Sequence, residues 1–447
     1  MSQYFSNQTS DLSASMTSSS ITSDVQELSS VVPTGASKTQ SSNQNCDLIE
    51  SDEIDPALVN MLSALFGKGS YETVLEITDE LLSKHPRSIF LNNIIAETSA
   101  LIDKAHTAIH HYKVVLDENP KLPNAHNNIA VAYKNIGFLD RAEDHLKTAI
   151  QLKPDFAQAY NNIGNVASDQ ADMVTAQKHF LKSIELDPSK ANAYWNLHST
   201  TKDLDVAKSI IELCLEKDAN YEPAVYTLAA INAYKGDRQF FDWLMNTDVA
   251  SHSVLRSIEW ILALPNLPDL HFNRWSLFDA AIEMSDKNRP FYEFGVWMGE
   301  SFKYLIKAYK KGYGFDTFTG LPEDWNTVPQ GTYSSFGNIP KIKGGEFIVG
   351  EFNETLPKFF AKRRPKASLL NFDADLYSST LCALNHSLPV IDKKTVLVFD
   401  ELIVNQEWEN DEYKALIEFC ASHNFKFDVH MVSLFTKQVG ITLRSHP

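Results

Sequence analysis

Between residues 54 and 245, apolar side chains return at the i, i+3, i+4 and i+7 spacing of helices that bury one face. The pattern itself recurs, because Pro86, Pro120, Pro154 and Pro188 stand 34 residues apart. In the best-formed unit, Ile129, Ala130 and Tyr133 mark a first helix, Gly137 a turn, and Ala142, Leu146 and Ala149 a second. The next unit carries Tyr160, Ile163, Gly164, Ala176 and Phe180, an earlier one Ala96, Ala108 and Tyr112, and residues 55–86 form a weaker first copy. Small residues at these positions let paired helices cross closely. After Ala191 the interval shortens, with Ala207 about three residues early, so the array is expected to end, with residues 221–234 as a capping helix.

A 34-residue period is that of the tetratricopeptide repeat, and residues 53–245 are expected to form an all-α solenoid with a concave groove. Asn127, Asn128, Asn161, Asn162 and Asn196 recur on the first helices, where their amides either face a partner's backbone in the groove or serve as polar surface. The groove implies a protein partner or a carrier.

From residue 246 the texture changes. Trp260, Leu262, Trp275, Phe278 and Ile282, interrupted by Pro265 and Pro268, predict helices leading into a second domain at 246–447. Short apolar runs then alternate with helical stretches, the signature of an α/β doubly wound, Rossmann-like sheet. Strands are expected at Phe291-Tyr-Glu-Phe294, from Gly312 to Phe318, at 346–349, 367–373 and 395–399, with a closing antiparallel pair within 425–443 about Thr436-Lys-Gln438. A polar stretch running to Lys343 is long enough to lie over the strand ends as a lid.

Composition narrows the function. The chain has 447 residues, enough for two or three domains, and a formal net charge of −17, which disfavours binding a nucleic-acid backbone. The tight basic cluster Lys362-Arg-Arg364 reads as a solvated loop. Cys46, Cys214, Cys382 and Cys420 are widely spaced and form no C-x-x-C pair, which fits a reducing compartment without a cysteine zinc site. No run of about 18 apolar residues is present, and a cytoplasmic protein with no membrane attachment is expected. Residues 1–52, rich in Ser, Thr, Asn and Gln, are expected to be a disordered leader.

The chemistry gathers at the strand ends. Glu293, Gly295 and Gly299 form E-x-G-x-x-x-G, an acid, a sharp turn and a close approach to backbone, and Asp316 ends the next strand, where an acid can accept ribose hydroxyls. Together they suggest an adenosine ligand, although a tight strand-helix turn needs none. Asp373 and Asp375 follow one later strand and Asp400 and Glu401 another. Carboxylates so close call for a cation or shared protons, and hard oxygen donors suit Mg²⁺. Asp375 could alternatively cap the helix after it.

This domain resembles class I S-adenosylmethionine-dependent methyltransferases, and within them the macrocin O-methyltransferase-like family. The matching motifs are Tyr292-Glu-Phe-Gly-Val296, Gly314-Phe-Asp-Thr-Phe318 with Gly320-Leu-Pro-Glu323, Phe352-Asn-Glu-Thr-Leu-Pro357, Asp373-Ala-Asp-Leu-Tyr-Ser-Ser-Thr380 and Val398-Phe-Asp-Glu401, across residues 272–443. The resemblance implies a seven-stranded sheet, with Glu293, Gly295 and Gly299 along the methionine end of S-adenosylmethionine and Asp316 on its ribose. It also implies Asp373, Asp400 and Glu401 as ligands of a divalent metal and Asp375 as general base; Glu401 stands where metal-dependent members carry a second aspartate. Trp325 and Tyr377 would wall an acceptor pocket or lie in the core.

The expected function is O-methylation of a hydroxyl on a sugar or other small metabolite. Two alternatives stay open: an interaction scaffold with an inactive methyltransferase-like domain, and a glycosyltransferase, which would also use a doubly wound sheet and acidic ligands but would need a nucleotide-diphosphate site.

Overall fold

The computed structural model describes residues 54–325 and 328–445. The expected leader at 1–52, with Cys46, lies outside them. The chain divides into two compact units whose boundary falls between Asn162 and Ile163. The expected division near residue 245 followed the change in sequence texture, whereas this one lies within the repeats.

Among the described residues, eleven helices follow one another up to Tyr234: α1 Pro56–Gly67, α2 Tyr71–Lys84, α3 Ile89–Leu101, α4 Ala105–Glu118, α5 Pro123–Asn135, α6 Leu139–Leu152, α7 Ala157–Asp169, α8 Met173–Leu186, α9 Ala191–His198, α10 Leu204–Lys217 and α11 Glu222–Tyr234. The period has a packing cause. Ala108, Ala142 and Ala176 are wholly buried at 34-residue spacing, and Ala207 is wholly buried three residues early, as expected. Gly137 takes φ +77° at the turn between α5 and α6.

Helix α11 departs from its expected capping role. Eight of its residues, among them Val225, Tyr226, Ala229 and Ala230, are buried, and those four share a core with Phe294, Phe372 and Phe399. A cap would keep one face polar; this helix is apolar nearly all round and so belongs inside.

Beyond it come α12 Gln239–Leu244, α13 Ser253–Leu262, α14 Arg274–Met284, α15 Glu300–Tyr309, α16 Phe352–Phe360, α17 Tyr377–Ser387 and α18 Glu412–His423. The strands are β1 Asp269–His271, β2 Phe291–Phe294, β3 Gly312–Asp316, β4 Gly345–Val349, β5 Leu369–Phe372, β6 Val396–Phe399, β7 Phe425–Ser433 and β8 Val439–Ser445. They form one eight-stranded sheet in the order β1-β7-β8-β6-β5-β2-β3-β4. Strand β8 is antiparallel to both its neighbours and every other pairing is parallel. The extra strand, β1, was not expected: three residues between Pro268 and Asn273 are too few for a periodicity to register.

One row of side chains fixes the register. Phe315, Phe294, Phe372 and Phe399 are partners across β3, β2, β5 and β6, all wholly buried, with adjacent rings stacked at 5.1, 5.1 and 4.8 Å. Side chains alternate along a strand, so Tyr292, Leu370 and Leu397 join that face while Phe291, Leu369 and Val396 enter a second core on the other. Each face therefore has its own apolar layer, as a doubly wound sheet requires. The row has a direct consequence at the carboxyl ends: the next residues along, Asp316, Gly295, Asp373 and Asp400, emerge side by side.

Candidate active site

Backbone bonds carry the alignment one residue past the phenylalanines. Gly295 N–H donates to Phe315 O at 2.9 Å, Asp373 N–H to Phe294 O at 2.8 Å, and Asp400 N–H to Phe372 O at 2.8 Å. Gly295 has φ +88°, and a Cβ built there would stand 1.7 Å from the carbonyl oxygen of Asp373. The missing side chain at this position thus makes room for the neighbouring strand, rather than for a ligand. Gly299, φ +80°, begins α15, and its face is closed by the side chain of Pro340.

Asp316 is held by its own backbone surroundings. One oxygen accepts from Val296 and Trp297 N–H, both at 2.7 Å, and the other from Phe318 N–H at 2.6 Å. A carboxylate offers about four acceptor sites, so roughly one is left for a ribose hydroxyl. Its evident task is to clamp the glycine turn to β3.

Glu293 is wholly buried, cross-strand to Asn371, whose amide donates to it at 2.9 Å. Burial drives its carboxyl up to about 8, against the pull of Ser301 and Asn371, and it is therefore largely protonated near neutrality. The indole N–H of Trp297 is buried at the turn without a partner, the kind of orphaned donor that a bound ligand would satisfy.

The acids are brought together, but with company that the sequence did not reveal. Asp400 is 6% exposed; one oxygen faces Arg274 at 3.2 Å and the other accepts from the Gln438 amide. Glu401 faces Lys437 at 3.0 Å and accepts from Asn405 at 2.6 Å. Glu412, wholly buried on α18, accepts from Thr380 and from the Glu401 N–H, and burial pushes its carboxyl well up. Burial and the Asp400 charge raise Asp373 well above the usual carboxylate range. Asp375, in the left-handed region at φ +59°, is driven up to about 8 by burial and then by Glu401 and Asp400. It does not cap α17, whose preceding residue is Leu376 and which has no side-chain cap.

Among the described residues, no three acids, histidines or cysteines are gathered as a metal-ligand cluster. Of the three expected ligands, Asp373, Asp400 and Glu401, the last two are matched to protein cations instead, and as arranged this pair does not fit a resident divalent ion.

The loop after β3 lies across these tips. Tyr333 meets Trp297 edge-on at 6.2 Å, Pro340 covers Gly299, and Glu323 accepts from Ser378 at 2.6 Å. Trp325 is 9% exposed against Leu321 and Leu376. Tyr377 turns away to donate to Glu418 at 2.5 Å and lies under Lys414, so it walls no pocket at the rim.

The repeat asparagines answer one another. Asn162 donates to Asn127 at 2.8 Å, and Asn127 to Asn128 at 3.0 Å. Asn127 and Asn161 are buried rather than polar surface, whereas Asn128, Asn162 and Asn196 are half-buried. A second register went unread: Asn92, His126 and Tyr194 each reach the carbonyl of the proline six residues earlier, Pro86, Pro120 and Pro188, at 3.0, 3.1 and 3.3 Å. Their neighbours His111 and His145 recur at the repeat period too, at 2.8 Å from Asn92 and 2.9 Å from His126.

The repeats can be named. Residues 123–156 and 157–190 match the tetratricopeptide repeat family model. Solved structures similar to the chain include MamA, 21% identical, over 36% of this chain and 95% of that one with a TM-score of 0.33, and pilF of Pseudomonas aeruginosa, 16% identical, over 42% and 89% with 0.38. YrrB, described as a TPR protein with an unusual peptide-binding site, is 15% identical over 41% and 97%, with 0.32. No curated protein matches the chain closely enough to count as a relative. Among the described residues, no helix is long and apolar enough to cross a membrane.

Proposed function

We propose that the chain is an S-adenosylmethionine-dependent O-methyltransferase whose tetratricopeptide repeats bind a protein partner or a carrier of the acceptor. The observation that carries this reading is the aligned rim, where a glycine turn, Asp316 and two acidic strand ends meet at the carboxyl edge of a parallel sheet, the place where doubly wound folds bind ligands. The parallel sheet with its antiparallel β7–β8 pair supports this reading, since the resemblance implies a seven-stranded sheet and this one has eight strands.

Trp297 and the remaining acceptor site of Asp316 would hold the adenosine, with Glu293 beneath the turn. When bound, S-adenosylmethionine supplies an electrophilic sulfonium methyl. Asp375 takes the proton from the acceptor hydroxyl. Its carboxyl near 8 suits that role, because a base works best when its pKa lies close to the working pH. The lid residues Tyr333 and Pro340 exclude water from the turn. The acceptor is a small hydroxylated metabolite, and the resemblance favours a sugar.

Calorimetric titration of S-adenosylmethionine into the full chain, beside Asp316→Ala, tests the reading. Binding by the wild type and its loss in the variant support it. A folded wild type that binds nothing leaves the other reading, an interaction scaffold, for which the repeats provide the grounds.

A further inference from the structure

Two strand ends carrying acids need positive charge, and the chain provides it from segments far away in sequence. Arg274 is the first residue of α14, directly after Asn273, and that asparagine is pinned twice: it accepts from Ser276 N–H at 2.8 Å and donates to Ser199 O at 2.6 Å. The guanidinium is thus delivered to Asp400 from a fixed helix start. The second cation comes from the β7–β8 turn, where consecutive residues serve consecutive acids, Lys437 on Glu401 and Gln438 on Asp400. Asn405 occupies the other oxygen of Glu401. Every oxygen of the two acids therefore already has a protein donor.

We propose that Arg274 and Lys437 take the place of a divalent ion at this rim, as positioning residues that hold Asp400 and Glu401 for a metal-independent reaction. A cation placed among these oxygens would displace the amides and meet two positive heads. The charge-matching stands on the geometry alone; its part in methyl transfer rests on the function proposed above.

The first test needs no activity. Mn²⁺ titrated into the full chain and followed by calorimetry is expected to give no stoichiometric binding up to millimolar concentration. Arg274→Gln and Lys437→Gln, which remove charge but keep much of the shape, are expected to bind Mn²⁺ at least tenfold more tightly, while Arg274→Lys stays like the wild type; a residue that only fills space would produce no such gain. Lys437 is partly exposed, so its variant provides a folded protein even where Arg274→Gln does not. A wild-type site for one Mn²⁺ that Asp400→Asn abolishes overturns the proposal, as does the absence of any gain in the charge-removing variants. In the presence of turnover, EDTA is expected to leave the rate within twofold, and a loss restored by Mg²⁺ overturns the proposal as well. Failure to bind S-adenosylmethionine would refute the enzyme reading and leave the Mn²⁺ result to decide the charge question separately.

Discussion

In the repeat helices, some buried polar side chains are neutral and are answered by residues one repeat or one helix away, as Asn162 answers Asn127 and His145 answers His126. At the strand tips they are carboxylates, and their partners arrive from remote segments, Arg274 from α14 and Lys437 from the closing hairpin. The first arrangement is local and copied, so losing one member costs one or two neighbouring bonds. The second is assembled by the whole sheet, and its acids hold protons or cations because nothing nearby in sequence could neutralise them. Local polar pairs therefore stabilise a repeat array, while assembled ones provide titratable groups for chemistry.

The sharpest way to separate the two regions is a pair of glycines. Gly295→Ala drives a methyl into the Asp373 carbonyl at φ +88°, and is expected to destabilise the sheet by roughly 3–5 kcal/mol. Gly69, φ +74° in the turn before α2, meets nothing within 4 Å, so Gly69→Ala pays for the backbone conformation alone, about 1 kcal/mol. Urea unfolding of both variants measures the difference; equal losses would erase the contrast between an assembled rim and a local turn.

Next comes Asp375, the proposed general base. Asp375→Asn is expected to lower methyl transfer by about 10²- to 10⁴-fold with the fold intact. In the wild type the rate is expected to rise with pH through about 8, since burial and the Glu401 and Asp400 charges keep Asp375 protonated below that. A flat profile between pH 6 and 9 would remove Asp375 from the reaction.

Much of this was legible from the chain, and the boundary of legibility is physical. The 34-residue period survives because each repeat packs small residues such as Ala142 against its own partner helix, so the signal is local. The rim acids were found because strands that end in Asp or Glu place them at the same edge. Their cations were not: Arg274 precedes Asp400 by more than a hundred residues, and no spacing rule links an arginine at a helix start to a hairpin lysine. Nor did the sequence tell that Asp316 would be absorbed by three backbone N–H groups, because a β-strand acid reads the same whether it faces a turn or a ribose. The asparagines were seen as a pattern, but the burial of Asn127 and Asn161 was not, since it depends on the neighbouring repeat.

The two kinds of buried group also predict opposite responses to pH. His198 on α9 is wholly buried and its imidazole is held down to about 4 by burial. Its folded pKa lies below the unfolded value of 6.5, so its stabilisation is full above 6.5 and is lost as pH falls toward 4, by roughly 3 kcal/mol. Glu293 has the reverse sign. Raised to about 8, it favours the fold most below 4.5, and that contribution fades as pH rises through 8. In denaturant melts between pH 4 and 8.5, His198→Phe should flatten the acid limb and Glu293→Gln the alkaline one. If either variant altered the opposite limb, the assignment of the two limbs would be wrong.

The smallest effect belongs to the amide ladder. Asn127→Ala removes the acceptor of the Asn162 amide and the donor to Asn128, and each bond contributes about 1 kcal/mol. Asn127 is 1% exposed but its partners Asn128 and Asn162 are half-buried, so their vacated amides regain part of their hydration, and the expected loss is about 1–2 kcal/mol. Asn128→Ala removes one acceptor at a half-buried site and should cost less than half of that. The double variant tests locality. If the ladder is a chain of independent neighbours, its energy equals that of Asn127→Ala, because the shared bond is already gone. A double variant much weaker than either single one would mean that the repeats, too, are held by an assembled network, and the distinction between the two regions would narrow to the charge on their buried groups.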